Sequence, residues 1–251
     1  MHPILVKIGP LTVYSYGLMV ALGFGLAAYL AARRSRAFGI SANDAIDLLI
    51  CILVAGIAGA RLTYVLLHLD HYRAFPMEIF LINRGGLAFY GGLVFGVLGA
   101  LICIKKKRLP VWKTADLLAP FVALAHALGR IGCLLNGCCV GRQAPAGFFA
   151  AVSFPGDPLM RHPTQAYSAA ALFFIFIFLW KRQDKRSFDG EVFFLYCMSY
   201  SIYRFAIEFM RDDPSVYLGL TLSQVLSLAV FSVSFSVFLA VKRRCAHSLS
   251  K

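Results

Sequence analysis

The chain has 251 residues, of which 59% are hydrophobic and only 15% charged, with a mean hydropathy of +0.72. Soluble domains use about 45 to 50% apolar residues, so this composition excludes an ordinary water-solvated fold and points to a single membrane domain over 1–251. The net charge of +13 would suggest a nucleic-acid partner in a soluble protein, but membrane topology accounts for it first and no nucleic acid is expected.

A helix needs about 20 apolar residues to cross a bilayer. Seven stretches qualify, near 14–32, 46–67, 87–104, 115–135, 164–180, 191–210 and 219–241. The predicted fold is all-α and polytopic, with about seven transmembrane helices. Alternate gaps carry Arg33, Arg34 and Arg36, then Lys105 to Arg108 with Lys113, then Lys181, Arg182, Lys185 and Arg186, then Lys242 to Arg244 with Lys251. The opposite side carries only Lys7, Arg73, Arg84, Arg142, Arg161 and Arg211. The positive-inside rule then puts the N-terminus outside and the C-terminus in the cytoplasm. The first apolar run is read as a span and not as a cleaved signal peptide, because its arginines follow it instead of preceding it.

Arg61, Arg130 and Arg204 remain, each inside a predicted span. A guanidinium at membrane depth costs at least about 2.5 to 3.5 kcal/mol on insertion scales, so it faces a polar interior and a partner. Two outer loops, 68–86 and 136–163, are rich in Gly, Pro, Asp and Arg. Such sequence marks irregular backbone, which is tolerated near a bilayer only against protein or water, and a cleft facing the outer leaflet follows.

Five segments put polar groups in apolar surroundings. Tyr14 to Gly17 opens the first span, where Tyr14 and Tyr16 are either interfacial aromatics or cleft donors. In Arg84 to Gly92, two glycine pairs surround Tyr90 and serve either close helix packing or close approach to an anion. Gly129 to Arg142 puts Arg130 and Cys133 on one helix face with Asn136 and Gly137. There Arg130 either snorkels to headgroups or forks onto a phosphate, and a lipid substrate would supply one. Arg161 to Tyr167 starts a span at Pro163, beside His162 and Gln165. In Tyr203 to Asp213, Arg204 and Glu208 stand at i, i+4, with Arg211 one turn or less away. That pair either orders the bundle or belongs to a site. The sum is a set of arginines for an anionic amphiphile: Arg130 and Arg204, with Arg142 or Arg161 as further candidates. Glu208 is the orienting carboxylate.

There are seven cysteines. Cys51, Cys103, Cys197 and Cys245 read as scattered packing residues or a free tail thiol. Cys133, Cys138 and Cys139 cluster at the outer end of the fourth span, and in an oxidising periplasm Cys133 is expected to pair with Cys138 or Cys139.

GRIGCLLNGCCVGR, at Gly129 to Arg142, resembles the signature G-R-x-G-N-F-x-N-x-E-x-x-G of the prolipoprotein diacylglyceryl transferase family. YGLM from Tyr16, GGLAFYGG from Gly85, RHPTQAY from Arg161 and YRFAIEFMRDD from Tyr203 resemble the family in the same order, so the resemblance covers essentially the whole chain. It implies a bacterial inner-membrane enzyme that moves the diacylglyceryl group of phosphatidylglycerol onto the lipobox cysteine of preprolipoproteins and releases glycerol phosphate. It implies no cofactor and no metal. By resemblance the catalytic group is Arg130, Arg204, Glu208 and Tyr90, and the substrate-binding group is Tyr16, Arg130, Gly141, Arg211, His162 and Gln165. The departures that bear on the chemistry are Cys133 for the signature Asn, Cys138 for its Glu, and Tyr90 where the family often has histidine. A tyrosine, with a reference pKa near 10, is a poor base at neutral pH. Two other classes compete: a membrane thiol oxidoreductase using Cys133, Cys138 and Cys139, which would need two working thiol pairs, and a lipid-binding or transport protein without chemistry.

Overall fold

The structure, a computed structural model, describes residues 1–9, 11–81 and 85–249. Strands β1 (Ile4–Ile8) and β2 (Leu11–Tyr14) pair antiparallel and lead directly into helix α1 (Ser15–Arg34). Helix α2 (Ala42–Leu67), the short α3 (Leu69–Ala74), a 3-10 turn at Pro76–Phe80, α4 (Phe89–Lys106) and α5 (Val111–Asn136) follow. A small hairpin of β3 (Val152–Ser153) and β4 (Met160–Arg161) precedes α6 (Thr164–Gln183) and α7 (Glu191–Glu208). A last hairpin, β5 (Ser215–Tyr217) with β6 (Leu220–Thr221), delivers the chain into α8 (Leu222–Leu249).

Among the described residues, six helices are long and apolar enough to cross a membrane: α1, α2, α4, α5, α6 and α8. The seventh expected span is α7, whose 18 residues reach about 27 Å at about 1.5 Å per residue. It falls short on apolarity because it carries Glu191, Arg204 and Glu208. Large apolar side chains such as Val54, Phe174 and Val233 are more than half exposed in the middle of their helices. Hydrocarbon solvent explains that pattern, and the chain is a multi-pass membrane protein.

Two expectations need correction. Loop 68–86 is not simply irregular, since α3 and the 3-10 turn occupy much of it. Asp70 in the first turn of α3 and Pro76 at the start of the 3-10 turn favour those starts. The stretch read as a span from residue 219 begins instead as a hairpin. Leu218 and Gly219 take positive φ (49° and 75°), which turns the chain before α8 can start.

The described residues form two compact units, 1–30 with 115–251, and 31–114. In the 31–114 unit, α2 and α4 lie backbone to backbone. A Cβ on Gly99 would stand 2.6 Å from Ala55 Cβ, and one on Gly92 would stand 3.3 Å from Gly56 O. Small residues permit this contact, as is usual between helices in lipid. Lys107 ties the end of α4 to α2 through Asp44 and Asp47 at 2.7 and 2.6 Å.

In the other unit, α5, α6 and α7 share a core of Ala127, Leu172, Tyr203 and Ile207. Phe194 and Met198 of α7 pack on Phe231 and Phe238 of α8. Buried Asp116 of α5 accepts the Gly190 and Phe193 amides at 2.7 and 2.9 Å, which satisfies otherwise orphaned donors at the start of α7. Helix α1 approaches α5 through glycines on both sides: a Cβ on Gly23 would meet Ala125 O at 3.0 Å, and one on Gly132 would meet Met19 Cβ at 3.0 Å. These contacts set the positions of α1, α5 and α7, which carry the polar groups described next.

Candidate functional site

The i, i+4 pair on α7 is formed. Glu208, 2% exposed, holds Arg204 Nη1 at 2.6 Å through Oε2, and its Oε1 accepts the Thr221 hydroxyl at 2.8 Å. Arg211 Nε lies 3.7 Å from the same Oε2 and 2.9 Å from Asp213. Arg204 also donates from Nη2 to Ser223 Oγ at 2.7 Å. Two carboxylates therefore balance the two guanidiniums, and the neighbouring Asp212 pairs with Arg142 at 3.8 Å. The Arg211 hydrogen bond holds the Asp213 carboxyl below the usual carboxylate range.

Arg130 on α5 differs. Its hydrogen bond among the described residues runs from Nε to Nε2 of His126, one turn back, at 3.3 Å, and no carboxylate pairs with it there. A guanidinium donor requires an unprotonated acceptor, so His126 is neutral in this arrangement and carries its hydrogen on Nδ1. The imidazole leans on Tyr200 of α7, with ring centroids 5.7 Å apart. Arg130 and Arg204 both lie close enough to His126 to act on it electrostatically. Beside them, half-exposed Tyr16 packs on Gly132, where an added Cβ would stand 3.3 Å from the tyrosine ring.

The loop after α5 is fixed from several directions. Gly141 donates to His162 O (3.2 Å), Arg142 N donates to Met210 O (2.8 Å), and His162 N donates back to Arg142 O (3.0 Å). A Cβ on Gly141 would lie 2.6 Å from Thr164 Cγ2, 2.7 Å from His162 O and 2.8 Å from Met210 O, so only glycine fits there. Buried Gln165 donates to Cys138 O at 2.6 Å, and Thr164 donates to Cys139 O at 3.1 Å. The Sγ atoms of Cys133, Cys138 and Cys139 all lie within 4.8 Å of one another, and all three are free thiols rather than the expected disulfide. The Cys139 thiol is drawn below its ordinary range by the Cys133 and Cys138 thiols and, less strongly, by Arg130 and Arg211.

The neighbouring basic residues are already engaged. Arg161 pairs with Asp157 and donates to Gly141 O at 3.2 Å, while exposed Arg142 donates to Arg211 O at 2.7 Å. His162 Nδ1 lies 3.4 Å from the Tyr167 hydroxyl, and its ring leans on Phe148.

In the 31–114 unit, buried Arg61 is caged by backbone carbonyls. Its Nε donates to Ile79 O at 2.8 Å, its Nη1 to Gly85 O and Gly86 O at 3.0 Å each, and its Nη2 to Glu78 O. The Tyr72 ring lies 5.2 Å from its guanidinium carbon. Arg61 thus fixes the first glycine pair, whose φ values are +86° and +77°, while the second pair serves helix packing. Tyr90, in the first turn of α4, is exposed and meets Phe89 edge to face. Arg84 lies outside the described residues. Cys51 and Cys103, read as scattered packing residues, are neighbours in this unit.

The structure thus gathers Tyr16, Arg130, Gly141, His162, Gln165, Arg204, Glu208 and Arg211 in one unit, with Tyr90 in the other. Sequence reasoning missed His126, Thr221 and Ser223. His126 had a local signal, its i, i+4 spacing from Arg130; Thr221 and Ser223 reach α7 only through the β5–β6 hairpin.

Comparison with known proteins gives a full-length match. Residues 3–240 match the sequence model of the family described as prolipoprotein diacylglyceryl transferase. A phosphatidylglycerol--prolipoprotein diacylglyceryl transferase of Clostridium tetani is 35% identical over 242 residues, covering 95% of this chain and 97% of the relative. The proteins of the same name from Bordetella bronchiseptica (35% over 251 residues, 96% and 95% covered) and Bacillus mycoides (32% over 249 residues, 96% and 92% covered) are similar throughout.

Proposed function

The chain belongs to the prolipoprotein diacylglyceryl transferase family and is a transferase acting on phosphatidylglycerol and prolipoproteins; from that premise we propose that Arg130 and Arg204 form the clamp for the lipid phosphate. In the reaction the thiol sulfur of the acceptor cysteine bonds to the terminal glycerol carbon of the diacylglyceryl group. The bond from that carbon to the phosphate oxygen breaks, and glycerol phosphate leaves. The phosphodiester enters with one negative charge, and a second develops on the departing oxygen. Donors that meet the developing charge lower the barrier, whereas donors that bind only the ground state do not.

The observation that carries this reading is the unneutralised charge of Arg130. Arg204 and Arg211 are balanced by Glu208 and Asp213, while Arg130 has only an imidazole. The group therefore holds one surplus positive charge, matched to one phosphodiester. Glu208 orients Arg204, and since both its oxygens are engaged it is not the base. By resemblance the base for the thiol proton is Tyr90, while His126 orients Arg130. Tyr16 lines the lipid path. Gly141, His162 and Gln165 act through the loop they hold, and Arg211 through Glu208. The whole chain acts as one catalytic domain in the bacterial inner membrane. In this reading its site opens to the outer leaflet, with the N-terminus periplasmic and the C-terminus cytoplasmic, which the distribution of basic loops supports. The acceptor is the signal peptide of a preprolipoprotein carrying a lipobox cysteine.

The test is incubation of the purified protein with labelled phosphatidylglycerol and lipobox peptides bearing Cys or Ser. Label on the Cys peptide alone, lost in Arg204→Ala, is expected. Label on neither peptide, with an active control enzyme, refutes the reading.

A further inference from the structure

Three thiols to which the proposed clamp gives no role converge at the end of α5. Positive φ at Gly137 (76°) and Cys139 (62°) folds the chain back, so that residues 133, 138 and 139 meet. Cys138 Sγ and Cys139 Sγ are 3.5 Å apart, and all three sulfurs fall within 4.8 Å. The convergence is imposed by the framework. Cys138 N donates to Cys133 O at 3.2 Å, and Gln165 and Thr164 hold the Cys138 and Cys139 carbonyls from α6.

Three thiolates around a metal at about 2.3 Å stand roughly 4 Å apart. The set as folded therefore needs sulfur–sulfur shifts of less than about 1 Å to enclose an ion, the Cys138–Cys139 pair opening and any wider pair closing. Structural zinc takes four protein ligands, and no fourth His, Cys, Asp or Glu joins the group among the described residues. A soft set of three suits monovalent copper. We propose that Cys133, Cys138 and Cys139 form a trigonal thiolate site for one Cu(I) ion per chain. Binding forms three copper–sulfur bonds and releases three protons to solvent, with no change of oxidation state. It is read without the transferase reaction and so stands apart from the function proposed above.

The test is an anaerobic titration of the full-length, reduced protein in detergent with Cu(I), in competition with a chromogenic Cu(I) chelator, with the near-ultraviolet thiolate-to-copper band as second readout. One Cu(I) withheld per chain is expected. Cys138→Ser and Cys139→Ser should each weaken binding at least 100-fold with unchanged circular dichroism. The Cys51→Ser, Cys103→Ser double variant, which removes the thiol pair of the other unit, should bind as the parent does. A parallel Zn(II) titration should bind more weakly. The proposal is overturned if the chelator keeps the copper, if either signature variant binds like the parent, if Zn(II) binds as tightly as Cu(I), or if protein purified without reductant carries a disulfide among these three residues.

Discussion

Arg130 donates its Nε hydrogen to Nε2 of His126 across one turn of α5, at 3.3 Å. The imidazole orients the guanidinium without neutralising it, whereas Glu208 both orients and neutralises Arg204. In the proposed clamp the two arginines take different tasks: Arg130 brings the free charge for the phosphodiester, and Arg204 is the fixed donor.

His126→Leu should therefore slow transfer more than it weakens lipid binding. A hydrogen bond to a charged group is worth about 1.5 to 3 kcal/mol, so a fall in kcat of roughly 10- to 100-fold is expected, with KM for phosphatidylglycerol nearly constant. His126→Gln, whose amide oxygen can accept the same bond, should recover much of the rate. Initial-rate kinetics on the three proteins check this.

Glu208→Gln keeps the Thr221 hydrogen bond and the side-chain volume but leaves Arg204 without a counter-charge. Removing one member of a buried pair costs about 3 to 5 kcal/mol. Thermal unfolding in detergent should show a marked loss of stability, and adding Arg204→Gln should restore part of it, as coupled partners do. Additive losses would mean that the pair is not coupled.

Gly141→Ala forces a methyl group against Thr164 Cγ2, His162 O and Met210 O. Two of those atoms are backbone and cannot swing aside, so overpacking of about 1 to 3 kcal/mol is expected together with loss of transfer. Gly129→Ala meets nothing within 4 Å and sits in a helix, so it should be tolerated. Melting curves and activities of the two variants give a direct contrast.

Asp157 is held below its ordinary carboxylate value by the Leu159 amide and then by Arg161. With the folded pKa depressed, its contribution to stability is complete above the unfolded value near pH 4 and drains away as pH falls through the lower folded value. The acid limb of a stability–pH profile should therefore be shallower in Asp157→Asn, with the two proteins differing by a constant amount above about pH 5.

The helices were legible because hydrocarbon solvent demands long apolar runs, and the Arg204–Glu208 pair because i, i+4 spacing is local. Other features were not. Hydropathy reported Arg61, Arg130 and Arg204 as equivalent oddities, yet among the described residues Arg61 is satisfied by four backbone carbonyls, Arg204 by Glu208, and Arg130 by a single imidazole. Gln165 read as a ligand-binding residue, but its amide holds the Cys138 carbonyl 27 residues away, a pairing that no local pattern encodes. The glycine pairs at 85–86 and 91–92 looked alike in sequence; one makes a positive-φ turn and the other a helix contact.

The central claim is that the free charge of Arg130 stabilises the departing phosphate. It is tested most directly by single-turnover transfer from phosphatidylglycerol to a lipobox peptide in Arg130→Ala, at saturating lipid. Since Arg130 makes one hydrogen bond and no ion pair among the described residues, folding should survive while the transfer rate falls by about 100- to 1000-fold, the loss typical of a missing transition-state donor. An unchanged rate in a folded Arg130→Ala protein would contradict the account.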